Sequence, residues 1–224
     1  MIRVVGIDTS SWWGSLALVE AEEGEPLRTV ADVGLAVRKS HTSHLLALLE
    51  TLLEHAGWSK SSIDGYAASR GPGSFTGVRV GLGTVRGLAL AADRPALGVV
   101  TLEAMAESMG PAEIDRVPML DAGRGEVYFG RYDAASCPPR EIEPPTVASA
   151  DAAWAGGAGV YFGPGADVYA DRCPGRVARS PRRVAEGVSR LALLKLRQGA
   201  VDAEGLSPLY LRPPDAELKK KKRR

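Results

Sequence analysis

The chain has two cysteines, three histidines and three phenylalanines in 224 residues, and each scarcity removes a class of protein. Cys137 and Cys173 stand at no paired spacing, so a disulfide framework, a zinc knuckle and a redox motif are all excluded. His41 and His44 lie three apart at the start of an expected helix. The remaining imidazole, His55, falls about three turns further along it, whereas a metal site needs three or four converging ligands. No apolar run approaches the roughly 18 residues of a membrane span. Nothing resembles the nucleophile elbow of a Ser-His-Asp hydrolase, and no short-period repeat occurs. Residues 1–8 read as a buried strand with no secretory leader, so a reducing cytoplasm is expected.

What is present describes an ordinary globular protein, 45% hydrophobic and 25% charged. A chain of this length buries roughly 70% of its unfolded surface, so its core needs no staples. The net charge of +1 conceals an asymmetry, because residues 219–224 are all basic. Without them 22 basic residues face 27 acidic ones and the body carries −5, which is not the footprint of a nucleic-acid binder. The basic end can contact RNA electrostatically; otherwise it is a solvated, flexible tail.

An apolar, β-branched run predicts a strand at residues 2–8, and residues 14–20 read as its hairpin partner after the bend at Trp12-Trp13-Gly14. Loose alternation predicts a third strand at 27–37. Ser40 or Thr42 can cap a helix that runs to about His55 and stops at Gly57. Leu45, Leu46, Leu49 and Leu53 belong to an apolar face about 160° wide, broader than the roughly 100° that reaches a single core. The excess is read as a partner surface. Residues 66–69 form a short buried strand, 78–92 a helix and 96–100 another strand, the alternation of a parallel-sheet unit. In the second half, residues 117–120 and 126–132 read as strands joined by a turn. A proline-rich passage follows, then a strand at 159–163, a helix at 183–197 and an extended segment at 206–214.

The densest signal is Gly71-Pro72-Gly73-Ser74-Phe75-Thr76-Gly77-Val78-Arg79. Such a loop permits positive φ and close approach, Ser74 or Thr76 can cap the following helix, and a helix N-terminus can receive an anion. A phosphate cradle and a ligand-free connector both fit. Along that helix Val80, Gly83, Thr84, Gly87 and Ala91 make a small-residue face opposite the core stripe. Glycine there costs about 1 kcal/mol per residue relative to alanine, which suggests packing against something. Asp8, Thr9 and Ser10, at the end of the first strand, could hold a phosphate or a hydrated cation, or simply close a turn. Asp121, Arg124 and Glu126 form a charged turn that either positions a ligand or is solvated.

Taken in order, Gly6-Ile7-Asp8-Thr9-Ser10, Ser40-His41-Thr42, the glycine segment through Gly81, Asp121-Ala122-Gly123-Arg124-Gly125-Glu126-Val127-Tyr128 and Pro208-Leu209-Tyr210-Leu211-Arg212 resemble the TsaB (YeaZ) family. The resemblance covers nearly the whole chain. It implies an α/β, two-lobed actin/Hsp70/sugar-kinase-like fold with a reduced second lobe: residues 1–102 as a partner-facing lobe, 103–214 as the second, 215–224 as tail. It also implies a noncatalytic subunit that binds and activates TsaD, acting with TsaE in bacteria. That complex transfers threonylcarbamoyl to the adenosine beside the anticodon of ANN-decoding tRNAs. ATP and metal then belong to TsaD and TsaE, this chain needs no cofactor of its own, and a homodimer forms in isolation. TsaD carries a His-Leu-Glu-Gly-His metal sequence where this chain has Thr101-Leu102-Glu103-Ala104-Met105. A hydroxyl and a thioether do not replace two imidazoles. The rival readings are a nucleotide-dependent phosphotransferase or ATPase working through Asp8, Thr9 and Ser10, and a glycoprotease-like metallopeptidase using His41 and His44.

Overall fold

The computed structural model describes residues 1–36, 42–173, 175–179, 183–199 and 206–212. Ser40, His41 and the basic tail lie outside them. The first strand, β1 (Ile2–Asp8), alternates its apolar side chains between two faces, so Val5 and Ile7 enter one core and Val4 another. β2 (Trp13–Ala21) returns antiparallel to β1, and β3 (Arg28–Ala36) antiparallel to β2. β4 (Gly65–Ser69) and β5 (Ala96–Val99) add in parallel, giving the order β3-β2-β1-β4-β5.

Two helices cover one face of this sheet, α1 (Thr42–Ala56) and α2 (Phe75–Ala92). Leu45, Leu49 and Leu53 of α1 pack with Val78, Leu82, Val85 and Ala89 of α2 over Val5, Ile7, Leu16 and Leu18. Each fully buried leucine contributes about 1.5–3 kcal/mol relative to exposure.

A second five-stranded sheet has the order β10-β9-β6-β7-β8, built from β6 (Arg116–Gly123), β7 (Glu126–Tyr132), β8 (Glu141–Ser149), β9 (Val160–Phe162) and β10 (Arg176–Val177). One face meets α3 (Thr101–Met109), whose Leu102, Met105 and Ala106 pack with Leu120, Tyr132 and Phe162. The other face holds the short helices α4 (Ala150–Trp154) and α5 (Pro164–Val168). The last helix, α6 (Val184–Arg197), packs Val188, Leu191, Ala192 and Leu193 on the far face of the first sheet. Division at residue 102 leaves α6 with the second half of the chain, but in space it belongs with the first sheet. It crosses α3 closely because position 187 is glycine: a Cβ there would lie 2.0 Å from the Ala104 carbonyl oxygen. Arg190 of α6 pairs with the buried Glu107 of α3 at 2.8 Å.

Helix α2 starts three residues earlier than its apolar period suggests, because Ser74 supplies the cap. The proline-rich passage contains a strand, β8, which carries Pro144 and Pro145 at the sheet edge where missing amide donors are tolerated. Helices α3, α4 and α5 were not expected; α4 and α5, of five residues each, are too short to show a 3.6-residue period, and α3 spans only nine. Among the described residues no helix is long and apolar enough to cross a membrane.

Candidate functional site

The end of β1 and the glycine loop interlock although their bonded pairs, Ser10–Ser74 and Thr9–Gly77, lie far apart in sequence. Asp8 is buried, and its Oδ1 accepts from the Ser10 amide at 3.1 Å and from the Ser69 hydroxyl. The Thr9 hydroxyl donates to the Gly77 carbonyl at 2.7 Å, and the Ser74 amide donates to the Ser10 carbonyl at 2.6 Å. Ser74 Oγ accepts from the Gly77 amide at 3.2 Å and so caps α2. Only glycine permits this contact. A Cβ at Gly77 would lie 1.9 Å from the Thr9 carbonyl oxygen, and one at Gly73 would lie 2.5 Å from that of Ser10. The Thr9 hydroxyl, which the sequence offered to a phosphate, is engaged in joining strand to helix, and Ser74 is the cap that the sequence offered.

Residues 206–212 cross this junction. Leu206 is buried in the core beneath α1 and α2. The Leu209 amide donates to the Arg70 carbonyl at 2.7 Å, and its own carbonyl oxygen occupies the space a Gly71 side chain would need, 2.6 Å from an ideal Cβ. Tyr210 stacks on Phe75 with ring centroids 5.2 Å apart, and its hydroxyl accepts from Arg79 Nε at 2.7 Å. The Arg79 guanidinium lies 3.8 Å from the Phe75 ring centre, a cation–π contact that fixes the first turn of α2. Arg212 then reaches Glu126 on β7, in the second sheet, at 2.6 Å. Gly71 is pinned from a third side, since Thr101 of α3 exchanges two bonds with it at 3.1 and 2.9 Å.

The charged turn is a folding device in part. Asp121 Oδ1 accepts from the Gly123 amide at 2.8 Å, and Arg124 sits at φ 62° between Gly123 and Gly125, both also left-handed. Glu126 is paired with Arg212, while Asp121 lines a cleft of about 420 Å³. That cleft lies between Ser10, Ser11, Trp12 and Trp13 on one side and Leu120, Pro164 and Val168 on the other, with Met105 and Val184 completing it. Trp12 is an exposed aromatic at its edge. Sequence reasoning treated Trp12 only as part of a bend; its exposure was not readable from the pattern. Thr76 is exposed and leaves the capping to Ser74, while Pro72 is buried within the loop.

The helical faces need one correction. Leu45, Leu49 and Leu53 were expected at a partner surface, but all three are buried in the chain's own core. The broad stripe of α1 is used internally because α1 packs against both the first sheet and α2. Leu46 alone of that set is exposed, at 49%. On α2, Gly83, Gly87 and Ala91 are exposed and Val80 and Thr84 half-buried. A Cβ at Gly83 or Gly87 would meet nothing beyond its own stretch of helix within 4 Å among the described residues, and the neighbouring Leu90 is 83% exposed.

No three His, Cys, Asp or Glu side chains converge for a metal among the described residues. His55 Nδ1 lies 2.8 Å from the Thr51 carbonyl of its own helix. Met105 is buried beside Gly163, whose Cβ would fall 2.5 Å from Met105 Cε. On α3, burial pushes the Glu103 carboxyl above its ordinary range, with Glu141 and Glu107 adding to the effect and Lys195 and Arg70 opposing it.

Against known proteins, a family model described as TsaD, tRNA N6-adenosine threonylcarbamoyltransferase, matches residues 35–137. The tRNA threonylcarbamoyladenosine biosynthesis protein TsaB of Escherichia coli K12 is 41% identical over 135 residues, 58% of this chain and 55% of that protein. Its counterpart in Haemophilus influenzae is 35% identical over 133 residues, covering 58% and 53%. The matches thus span about half the length of these curated relatives. Two structures from Pseudomonas aeruginosa align far more completely. YeaZ is 30% identical with a TM-score of 0.75, over 93% of this chain and all of that one. A protein described as similar to peptidase YeaZ is 31% identical with a TM-score of 0.79, over 95% of this chain and all of that one. The two-sheet α/β architecture is the actin/Hsp70/sugar-kinase-like fold of these structures. At 30–31% identity over nearly the whole of both chains, the chain belongs to the TsaB/YeaZ family.

Proposed function

We propose that this chain is a noncatalytic subunit in the biosynthesis of threonylcarbamoyladenosine in tRNA, docking onto TsaD through its first lobe. The supporting observation is the outer face of α2. Gly83 and Gly87 open onto free space, and Leu90 stands 83% exposed beside them. Two glycines on an exposed helical face cost about 2 kcal/mol of helix stability, a cost offset when a second helix approaches closely. Leu46 of α1 and Val80, Thr84 and Ala91 of α2 extend the surface, and a homodimer through the same face forms when the partner is missing. The names carried by the relatives supply the pathway.

The subunit works in the cytoplasm, needs no metal or nucleotide of its own and leaves both to TsaD and TsaE. The positions matching TsaD's metal ligands fit that division: Thr101 is bonded to Gly71, and Met105 is packed beside Gly163. Contact with tRNA is indirect, aided by residues 219–224. The test is Gly87→Trp. The monomer should stay folded, because nothing crowds the site, while pull-down of TsaD and the modification of tRNA in a reconstituted system are lost. Unchanged complex formation rejects this surface.

A nucleotide-dependent activity is the second reading, favoured by the cleft beside Ser10. Calorimetry with ATP and magnesium on the purified chain decides it: micromolar binding with hydrolysis supports that reading, and no heat rejects it.

A further inference from the structure

We propose that residues 206–212 form a strap that fixes the angle between the two lobes and thereby sets the width of the Trp12 cleft. The inference stands on geometry alone and holds whether or not the α2 face docks a partner.

Four contacts anchor the strap in order along the chain. Leu206 is buried among the side chains of the first lobe. The Leu209 amide bonds to the carbonyl of Arg70, and the Leu209 carbonyl sits against Gly71, where any side chain would displace it. Tyr210 is then held over the first turn of α2 by the Phe75 ring and by Arg79 Nε. Two residues later the strap changes lobes, since Arg212 pairs with Glu126 at the start of β7. The spacing matters. Three anchors within five residues on one lobe leave Arg212 little slack, so a charge pair that would be weak between free side chains acts at high local concentration.

Glu126 is well placed to transmit that restraint. It opens β7, pairs in register with Gly123 of β6, and follows the tight turn whose first residue, Asp121, lines the cleft. On the other wall, Ser10 is bonded through its carbonyl to Ser74, one residue before Phe75. Each end of the strap is therefore tied to one wall of the cleft. The lobes also meet where α6 crosses α3 and where Thr101 bonds Gly71. Releasing Arg212 therefore loosens the second wall about that joint, and releasing Tyr210 frees the strap from the first.

The experiment measures the interlobe distance in the full chain. Cys137 and Cys173 are replaced by serine, and spin labels are placed at Ser61→Cys and Ile142→Cys, both exposed and on different lobes. The parent should give one narrow distance distribution. Arg212→Ala and Glu126→Arg should each widen it at least twofold, and the exchanged pair Glu126→Arg with Arg212→Glu should restore the parental width. Tyr210→Ala should widen it similarly and raise amide exchange in the first turn of α2. A distribution as narrow in Arg212→Ala as in the parent overturns the proposal. Should Tyr210→Ala lose its fold by circular dichroism, the exchanged pair still decides: a width no narrower than that of Glu126→Arg overturns it.

Discussion

Adding one methyl group at two glycines of the same helix should move stability in opposite directions. At Gly77 a Cβ would lie 1.9 Å from the Thr9 carbonyl oxygen, an approach that only a displacement of backbone can relieve. Separating α2 from β1 strains the packing by about 1–3 kcal/mol and breaks the buried Thr9 hydroxyl bond to the Gly77 carbonyl, worth about 1 kcal/mol. Better helix propensity returns at most about 1 kcal/mol, so Gly77→Ala should be destabilising by about 1–3 kcal/mol. At Gly87 an added Cβ would meet no atom of the described residues within 4 Å beyond its own stretch of helix, and Gly87→Ala keeps the propensity gain of about 1 kcal/mol intact. For a chain of this size each kcal/mol shifts the melting temperature by about 2–4 °C, so the two variants should lie on opposite sides of the parent. Urea unfolding with a common m value measures the difference directly. Equal stabilities for the two variants would refute the close approach of α2 to β1.

Truncating Leu49 to alanine should cost about 2–5 kcal/mol in the same assay, whereas Leu46→Ala should fall within about 0.5 kcal/mol of the parent; a large loss at Leu46 would contradict its exposure. Tyr132 is fully buried, its hydroxyl finds no hydrogen-bond partner among the described residues, and burial raises its pKa, so Tyr132→Phe should be neutral or stabilising by up to about 1–2 kcal/mol. A clear destabilisation there would reveal a partner. Glu103 binds its proton more tightly in the fold than its ordinary value of 4.5. The fold therefore carries no penalty below that value, acquires one as pH rises through it, and bears it fully above the folded-state pKa. Glu103→Gln should match the parent at about pH 4 and become progressively more stable than it toward neutrality; a pH-independent difference would exclude burial as the cause.

The sequence by itself determined most of the first lobe. Apolar runs placed β1 and β2, loose alternation placed β3, and the Ser74 signal placed the start of a helix, because strand runs and caps are local features. The ordered motifs also carried the family. The sequence could not say which surfaces remain free. A leucine stripe 160° wide looks the same whether a partner or a neighbouring helix fills it, and only packing showed that α2 and the first sheet bury Leu45, Leu49 and Leu53. Nor could it tell a phosphate loop from a joint. Glycine content permits both, and the choice lies in the Thr9 hydroxyl and the Ser10 carbonyl, about 65 residues away in sequence and in direct contact in space. The same holds for the strap. Tyr210 and Arg212 are two polar residues near a chain end until tertiary structure sets one on Phe75 and Arg79 and the other on Glu126. Local propensity writes elements into the chain, but long-range contact decides which of their faces are left to act.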